Sequence, residues 1–301
     1  RKLWGSRDTL NYLVSAYTRD HDRTIGDVLK KLPGITVEDN GVIKYQGTAI
    51  NHFYIENLDM LQGRYNLATE GIRAEDVATV QVLENHEHIN ALQDQTAPGS
   101  AAINLRLKDK AKGVWSKSTD LSAGGYAEGM LWAATLQAMY FSKAEQHLIR
   151  YSGDDLGRGY DVAMVHYDAS MGDGNQMVDI VRHNTSPVGN SLFGYHHGVN
   201  LNNLAKLSEH QTLNYNFNYS HQLSHGNSFL QTTYILPDGS DVLLTEDITD
   251  RIHTNTADLQ LTYENNANRL YFNNTLSFSG RWNEGRGSVT SGSQESGLIR
   301  Q

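Results

Sequence analysis

The sequence predicts a small α/β domain over residues 1–112, a mixed sheet with short helices. Antiparallel strands of a transmembrane β-barrel wall follow over residues 113–301, incomplete in this chain. Two observations carry the prediction. In the first third, short apolar segments switch between helical and strand periodicity, with turn residues between them. Past Lys112 the segments lengthen and alternate in steps of two, joined by connections that are in turn short and long.

The totals narrow the function classes. A chain of 301 residues accommodates one or two domains. Its 25 basic and 34 acidic residues give a net charge of −9, spread along the chain, which argues against a nucleic-acid partner. With no cysteine, disulfides, thiolate metal sites and cysteine nucleophiles are excluded. No run of about 18 apolar residues exists for a membrane helix. The mean hydropathy of −0.52 is still compatible with a membrane barrel, whose strands average out as polar. No signal peptide is visible at Arg1 and no closing strand after the Ser/Gly-rich stretch 285–293, so the chain is read as part of a longer protein.

Residues 1–17 form a lead-in with weak alternation over Asp8–Val14. Thr24 is an N-cap with Asp27 three residues on, and Ile25, Val28, Leu29 and Leu32 share one helical face until Pro33-Gly34 stops the helix. Ile35-Thr36-Val37 and Val42-Ile43-Lys44-Tyr45 flank Asp39-Asn40-Gly41, a hairpin signal. Ala49–Ile55 reads as a third strand, Leu61–Ile72 as a loop and Ala74–Val77 as a helical turn. Thr79–Leu83 and the alternating Ile103, Leu105 and Leu107 complete the sheet.

In the second part, Leu213, Tyr215, Phe217 and Tyr219 oppose Asn214, Asn216, Asn218 and Ser220. Ala257, Leu259, Leu261 and Tyr263 oppose Asp258, Gln260, Thr262 and Glu264. Similar faces recur over 193–201, 270–278 and, less cleanly, 132–140. About seven wall strands are expected, with Phe229–Leu236 and Val242–Thr245 taken as an extracellular hairpin around Pro237-Asp238-Gly239. A soluble β-sandwich also alternates, with its apolar face inward. Aromatic residues near strand ends (Trp115, Trp132, Tyr140, Tyr263, Trp282) and the loop rhythm favour the barrel.

Candidate chemistry is sparse. His86-Glu87-His88 offers metal-ligand types, but no third ligand stands at a set spacing, and a solvated loop is the reading preferred. Glu75-Asp76 point apart in a helical turn, where acids at a helix start are common. Six aspartates lie within 153–191; calcium takes oxygen ligands from such loops, but the spacing fits no EF-hand. His196 and His197 point to opposite faces of a strand. With no phosphate loop, nucleophile elbow or His-Glu-x-x-His, neither enzyme activity nor a cofactor is expected.

Several blocks in order carry a resemblance: Thr24–Ile35 with its Leu32-Pro33-Gly34, Gly41–Gly47, His52–Asp59, Glu75–Glu84 and Ala101–Lys108. Together they resemble the plug domain of TonB-dependent outer-membrane receptors, differing at Glu56-Asn57, where that family more often has Asp-Gly. The resemblance implies a plug over 1–112 and the first barrel strands over 113–301, of about 22 in all, with the remainder beyond Gln301. It implies import of a nutrient across the outer membrane of a Gram-negative bacterium. A small-molecule, peptide or glycan ligand would bind above the plug, which TonB then rearranges. Outer-membrane lipid and a surface lipoprotein are further partners it allows. No TonB-contacting segment is evident upstream of the plug. Substrate contacts are expected at the plug loop tip, Arg64, Tyr65 and Asn66, and in the long loop at Tyr160 and Tyr167.

Overall fold

A computed structural model describes residues 2–6, 8–39, 41–93, 99–126, 129–156, 193–237 and 240–296. The N-terminal unit holds β1 (Leu3–Ser6), β2 (Thr9–Leu13), α1 (Ile25–Leu29), β3 (Ile35–Val37), β4 (Ile43–Tyr45), β5 (Thr48–Ala49), β6 (His52–Ile55), α2 (Asn66–Gly71), β7 (Val77–Leu83) and β8 (Ala102–Leu107). One sheet has the order β1-β2-β7-β8-β6, with β6 parallel to β8; β3-β4-β5 form a second, antiparallel sheet.

Helix α1 begins as expected. The Asp27 carboxylate accepts the N–H groups of Thr24 and Arg23, both at 3.0 Å, which meets donors that a helix start leaves open. Burial opposes its charge, yet these donors hold its pKa below the usual carboxylate value. Ile25, Val28, Leu29 and Leu32 then bury completely or nearly so against a core that includes Val80, Val82, Ile103 and Leu105. The β3–β4 hairpin pairs Ile35 with Tyr45 and Val37 with Ile43, and Gly41 takes the positive φ of 90° that its turn requires.

Three expectations change. The lead-in is two strands, β1 and β2, because β2 pairs with β7 some seventy positions away, a partnership local sequence does not report. Ala49–Ile55 is broken, since the chain crosses between sheets at Ile50-Asn51. Leu61–Ile72 contains α2, whose Leu67, Ala68, Thr69 and Gly71 are all buried, so no amphipathic stripe marks it.

The second part is one antiparallel meander: β9 (Trp115–Tyr126), β10 (Gly129–Phe141), β11 (Glu145–Asp154), β12 (Phe193–Lys206), β13 (Gln211–Ile235), β14 (Asp241–Ala267) and β15 (Leu270–Ser296). Among the described residues the meander has seven strands, where about seven were expected. The hairpin near Pro237 is an extension of β13 and β14, which run unbroken for 25 and 27 residues. At about 3.3 Å per residue such strands reach roughly 80 Å, well beyond a bilayer core of about 30 Å even when tilted.

The polarity of this sheet is inverted relative to a soluble protein. Gln137, Arg150, Asn200, Asn216 and Asn218 point toward the N-terminal unit and are buried, whereas Leu121, Leu136, Ile149, Phe217, Leu259, Leu276 and Phe278 are exposed on the opposite face. Exposing a large apolar side chain costs about 1.5–3 kcal/mol, so this face in water would offset most of the 5–15 kcal/mol by which domains are stable. It requires an apolar cover. Aromatic residues cluster toward both ends of the same face, with Trp115 packed near Tyr140 at 5.5 Å and Trp132 near His197 at 5.9 Å.

Candidate functional site

The N-terminal unit meets the sheet along two polar rows. In the first, Glu70 of α2 pairs with Arg150 of β11 at 3.3 Å, and Gly71 lies so close to Gln137 that a Cβ there would fall 1.9 Å from its amide nitrogen. In the second, the Gln146 amide donates to the Ile55 carbonyl at 2.7 Å and the Asn214 amide to the Asp59 carbonyl at 2.9 Å. These residues occupy inward positions of β10, β11 and β13, placed there by the two-residue alternation.

Toward the end of the sheet that carries the connections 142–144, 207–210 and 268–269, a denser cluster forms. His52 and Tyr54 project from one face of β6; His86 and His88 come from the segment after β7; Glu264 comes from β14. His52 Nδ1 lies 2.8 Å from Asp59 Oδ2, and its ring stacks on His88 with centroids 4.4 Å apart. The Tyr54 hydroxyl bridges His86 Nε2 at 2.8 Å and His88 Nδ1 at 2.9 Å, while His88 Nε2 meets Glu264 Oε2 at 2.8 Å. Two positions further along each segment, Asn90 N–H donates to Asn266 Oδ1 (2.9 Å), the Asn90 amide to the Asn266 carbonyl (2.7 Å), and the Asn266 amide to the His88 carbonyl (2.7 Å). A cleft of about 700 Å³ opens beside them, bounded also by Lys206, Glu209 and His210.

The two bridged histidines differ electrostatically. Burial, with His52 and His88 nearby, pushes the His86 imidazole down to about 4, so it is neutral near pH 7. Burial alone would lower His88 too, but its hydrogen bond to Glu264 and the charges of Glu264, Asp59 and Glu87 raise it. Burial, with Asp59 and Glu264 close, raises the Tyr54 phenol. A charged His88 donates from both nitrogens, to Glu264 and to the Tyr54 oxygen. Tyr54 then donates to neutral His86, giving one chain from Glu264 to His86.

The solvated-loop reading of His86-Glu87-His88 is therefore corrected. His88 is four-fifths buried in a joint between two parts of the molecule. Among the described residues no group of three or more histidine or acidic side chains is arranged to hold a metal ion, and Asp59, Tyr54 and Glu264 lie at hydrogen-bond distance from ring nitrogens of the cluster. His86 and His88 were visible in the sequence. His52 and Tyr54 at alternate positions and Glu264 on a polar strand face were signals for the rest, but the pairing across 176 positions was not.

Of the expected substrate contacts, Arg64, Tyr65 and Asn66 are buried at the start of α2 rather than standing at an exposed loop tip. Tyr65 accepts the Ile43 N–H at 3.2 Å, and the Arg64 Nε and Nη2 groups have no hydrogen-bond partner among the described residues. Tyr160 and Tyr167, and the acidic loop beyond Leu156, lie outside the described residues.

No family model matches the sequence, and no curated protein matches it. Among solved structures, the chain is similar to the siderophore receptor PirA from Pseudomonas aeruginosa at 11% identity and a TM-score of 0.30, covering 97% of this chain and 54% of that one. BauA, the ferric preacinetobactin receptor from Acinetobacter baumannii, gives 12% and 0.31, covering 93% and 47%. The alcaligin outer-membrane receptor FauA from Bordetella pertussis gives 10% and 0.27, covering 94% and 48%. The chain spans about half the length of these receptors.

Proposed function

We propose that this chain is the N-terminal part of a TonB-dependent outer-membrane importer, its N-terminal unit the plug and its seven-stranded sheet a stretch of barrel wall. The observation that carries the reading is the inverted polarity: the face toward the plug is polar and hydrogen-bonded to it, and the opposite face is apolar, as lipid requires. The ordered sequence blocks from Thr24 to Lys108 support the same assignment. Plug and wall meet through these polar contacts and through a small buried apolar patch in which Met139, Phe141, Leu148 and Leu204 of the sheet join the plug core, so release has to expose that patch as well as break the hydrogen bonds.

In this reading an extracellular ligand binds above the plug, and pulling by TonB separates plug from wall. Arg64, Tyr65 and Asn66 are proposed as contacts reached once the plug rearranges, because burial withholds them before that. Tyr160 and Tyr167 are proposed for the first encounter outside. Further strands would pair with the free edges of β9 and β15, since lipid does not tolerate unpaired backbone.

The test compares compounds left in spent medium by three strains: parental, lacking this gene, and lacking TonB. The importer reading expects both deletions to leave the same compound unconsumed, with the protein in the outer-membrane fraction. Consumption equal to the parental strain in the first deletion, together with recovery of the protein in the soluble fraction, would favour a β-rich binding or adhesion module.

A further inference from the structure

The joint at Glu264 differs from the other plug–wall contacts described above in being held by an ionisable imidazole. Taking the plug-and-wall reading as given, we propose that His88, Glu264 and the Asn90–Asn266 bonds form a proton-set clasp. It is tight while His88 is charged and looser once His88 has lost its proton.

Three carboxylates, two phenols and two imidazoles face His88. Glu264 comes from β14, Tyr271 from β15 with its ring centroid 6.2 Å away, and Asp59 from the turn after β6. His52 and Tyr54 come from β6, and His86 and Glu87 from its own segment. Glu264 is anchored on its own side, accepting from Asn273 at 3.2 Å and from Tyr271 at 3.4 Å. Glu264 therefore keeps its place on the wall whether or not His88 is charged. Three uncharged bonds through Asn90 and Asn266 keep this segment in register whatever the charge on His88. Because the His88 value is raised in the folded state, the charge-dependent part of the clasp is fully present below the ordinary histidine pKa. It is lost as pH rises through the raised value. This joint would then make plug displacement easier in alkaline surroundings.

The chain has no cysteine, so spin labels can be placed by substitution alone. Labels at Gln93→Cys on the plug segment and Arg269→Cys on the β14–β15 turn report their separation in the purified, intact protein in detergent. One narrow distance is expected at about pH 6, with a second, broader population growing at least threefold by about pH 9. In Glu264→Gln the broad population should be present at both values with no pH step. In Asn266→Ala it should be larger at both values while the step survives. A native distribution that does not change between the two pH values, or a Glu264→Gln protein that keeps the step, overturns the proposal. Neither result bears on import itself, which the spent-medium comparison reads separately.

Discussion

Gly26 shows how packing overrides local preference at a single residue. In an exposed helix, alanine in place of glycine adds about 1 kcal/mol. At position 26 a Cβ would lie 2.8 Å from the Thr69 carbonyl oxygen of α2, which is backbone and cannot swing aside. Overpacking of this kind costs about 1–3 kcal/mol, so Gly26→Ala should lower the thermal midpoint of the protein; a raised midpoint would show that α1 and α2 are less closely packed. Gln146 supplies a second case. It is fully buried and donates to the Ile55 carbonyl, which also accepts from the Leu58 N–H, so Gln146→Leu removes one buried hydrogen bond without orphaning the acceptor and should destabilise by about 0.5–1.5 kcal/mol in a urea titration. An unchanged midpoint would mean that water takes the place of the amide. Some residue-level features were legible in advance: Thr24 and Asp27 are local and obey helix-start chemistry. The roles of Gly26 and Gln146 were not, because each is defined by a partner dozens of positions away.

At the scale of elements, alternation carries most of the information. The faces read from residues 213–220 and 257–264 are the faces the structure shows, since a period of two follows directly from strand geometry. Which face is buried does not follow from the period. A sandwich would have buried Phe217 and Leu259; the structure buries Asn216 and Asn218 instead. Leu259→Arg places a charge on the apolar face, and the cost should be about 2–4 kcal/mol if that position lies near the bilayer midplane. The yield of folded protein in the outer membrane should fall accordingly, whereas Gln260→Glu on the other face should leave it near normal. Equal losses from both substitutions would remove the distinction between the faces. Short elements were the harder part. α2 and the β1–β2 pair have neither a stripe nor a local partner, and only tertiary contacts make them regular.

For the whole molecule, the arrangement unites two conflicting demands. In the proposed reading the plug is held together by an apolar core, with Val28, Leu29, Val80 and Ile103 fully buried, which Met139, Phe141, Leu148 and Leu204 of the sheet extend at one side. Its joint with the wall is built largely from single hydrogen bonds and ion pairs that separate one by one. A core that is mostly internal and a joint that is mostly polar fit the plug-and-wall reading proposed above. The joint could not be read from the sequence, because its two halves lie up to 178 positions apart and neither half is unusual alone.

The central claim is that the outer face of the sheet meets lipid while the inner face is wet. Single cysteines at 215, 217, 259 and 261, and at 214, 216, 258 and 260, would be probed in intact outer membranes with a water-soluble and a lipid-soluble maleimide. The first set should react only with the lipid-soluble reagent, and the polar-face set should never be labelled from the lipid phase. Ready labelling of positions 217 and 259 by the water-soluble reagent, in protein that needs no detergent, would contradict it.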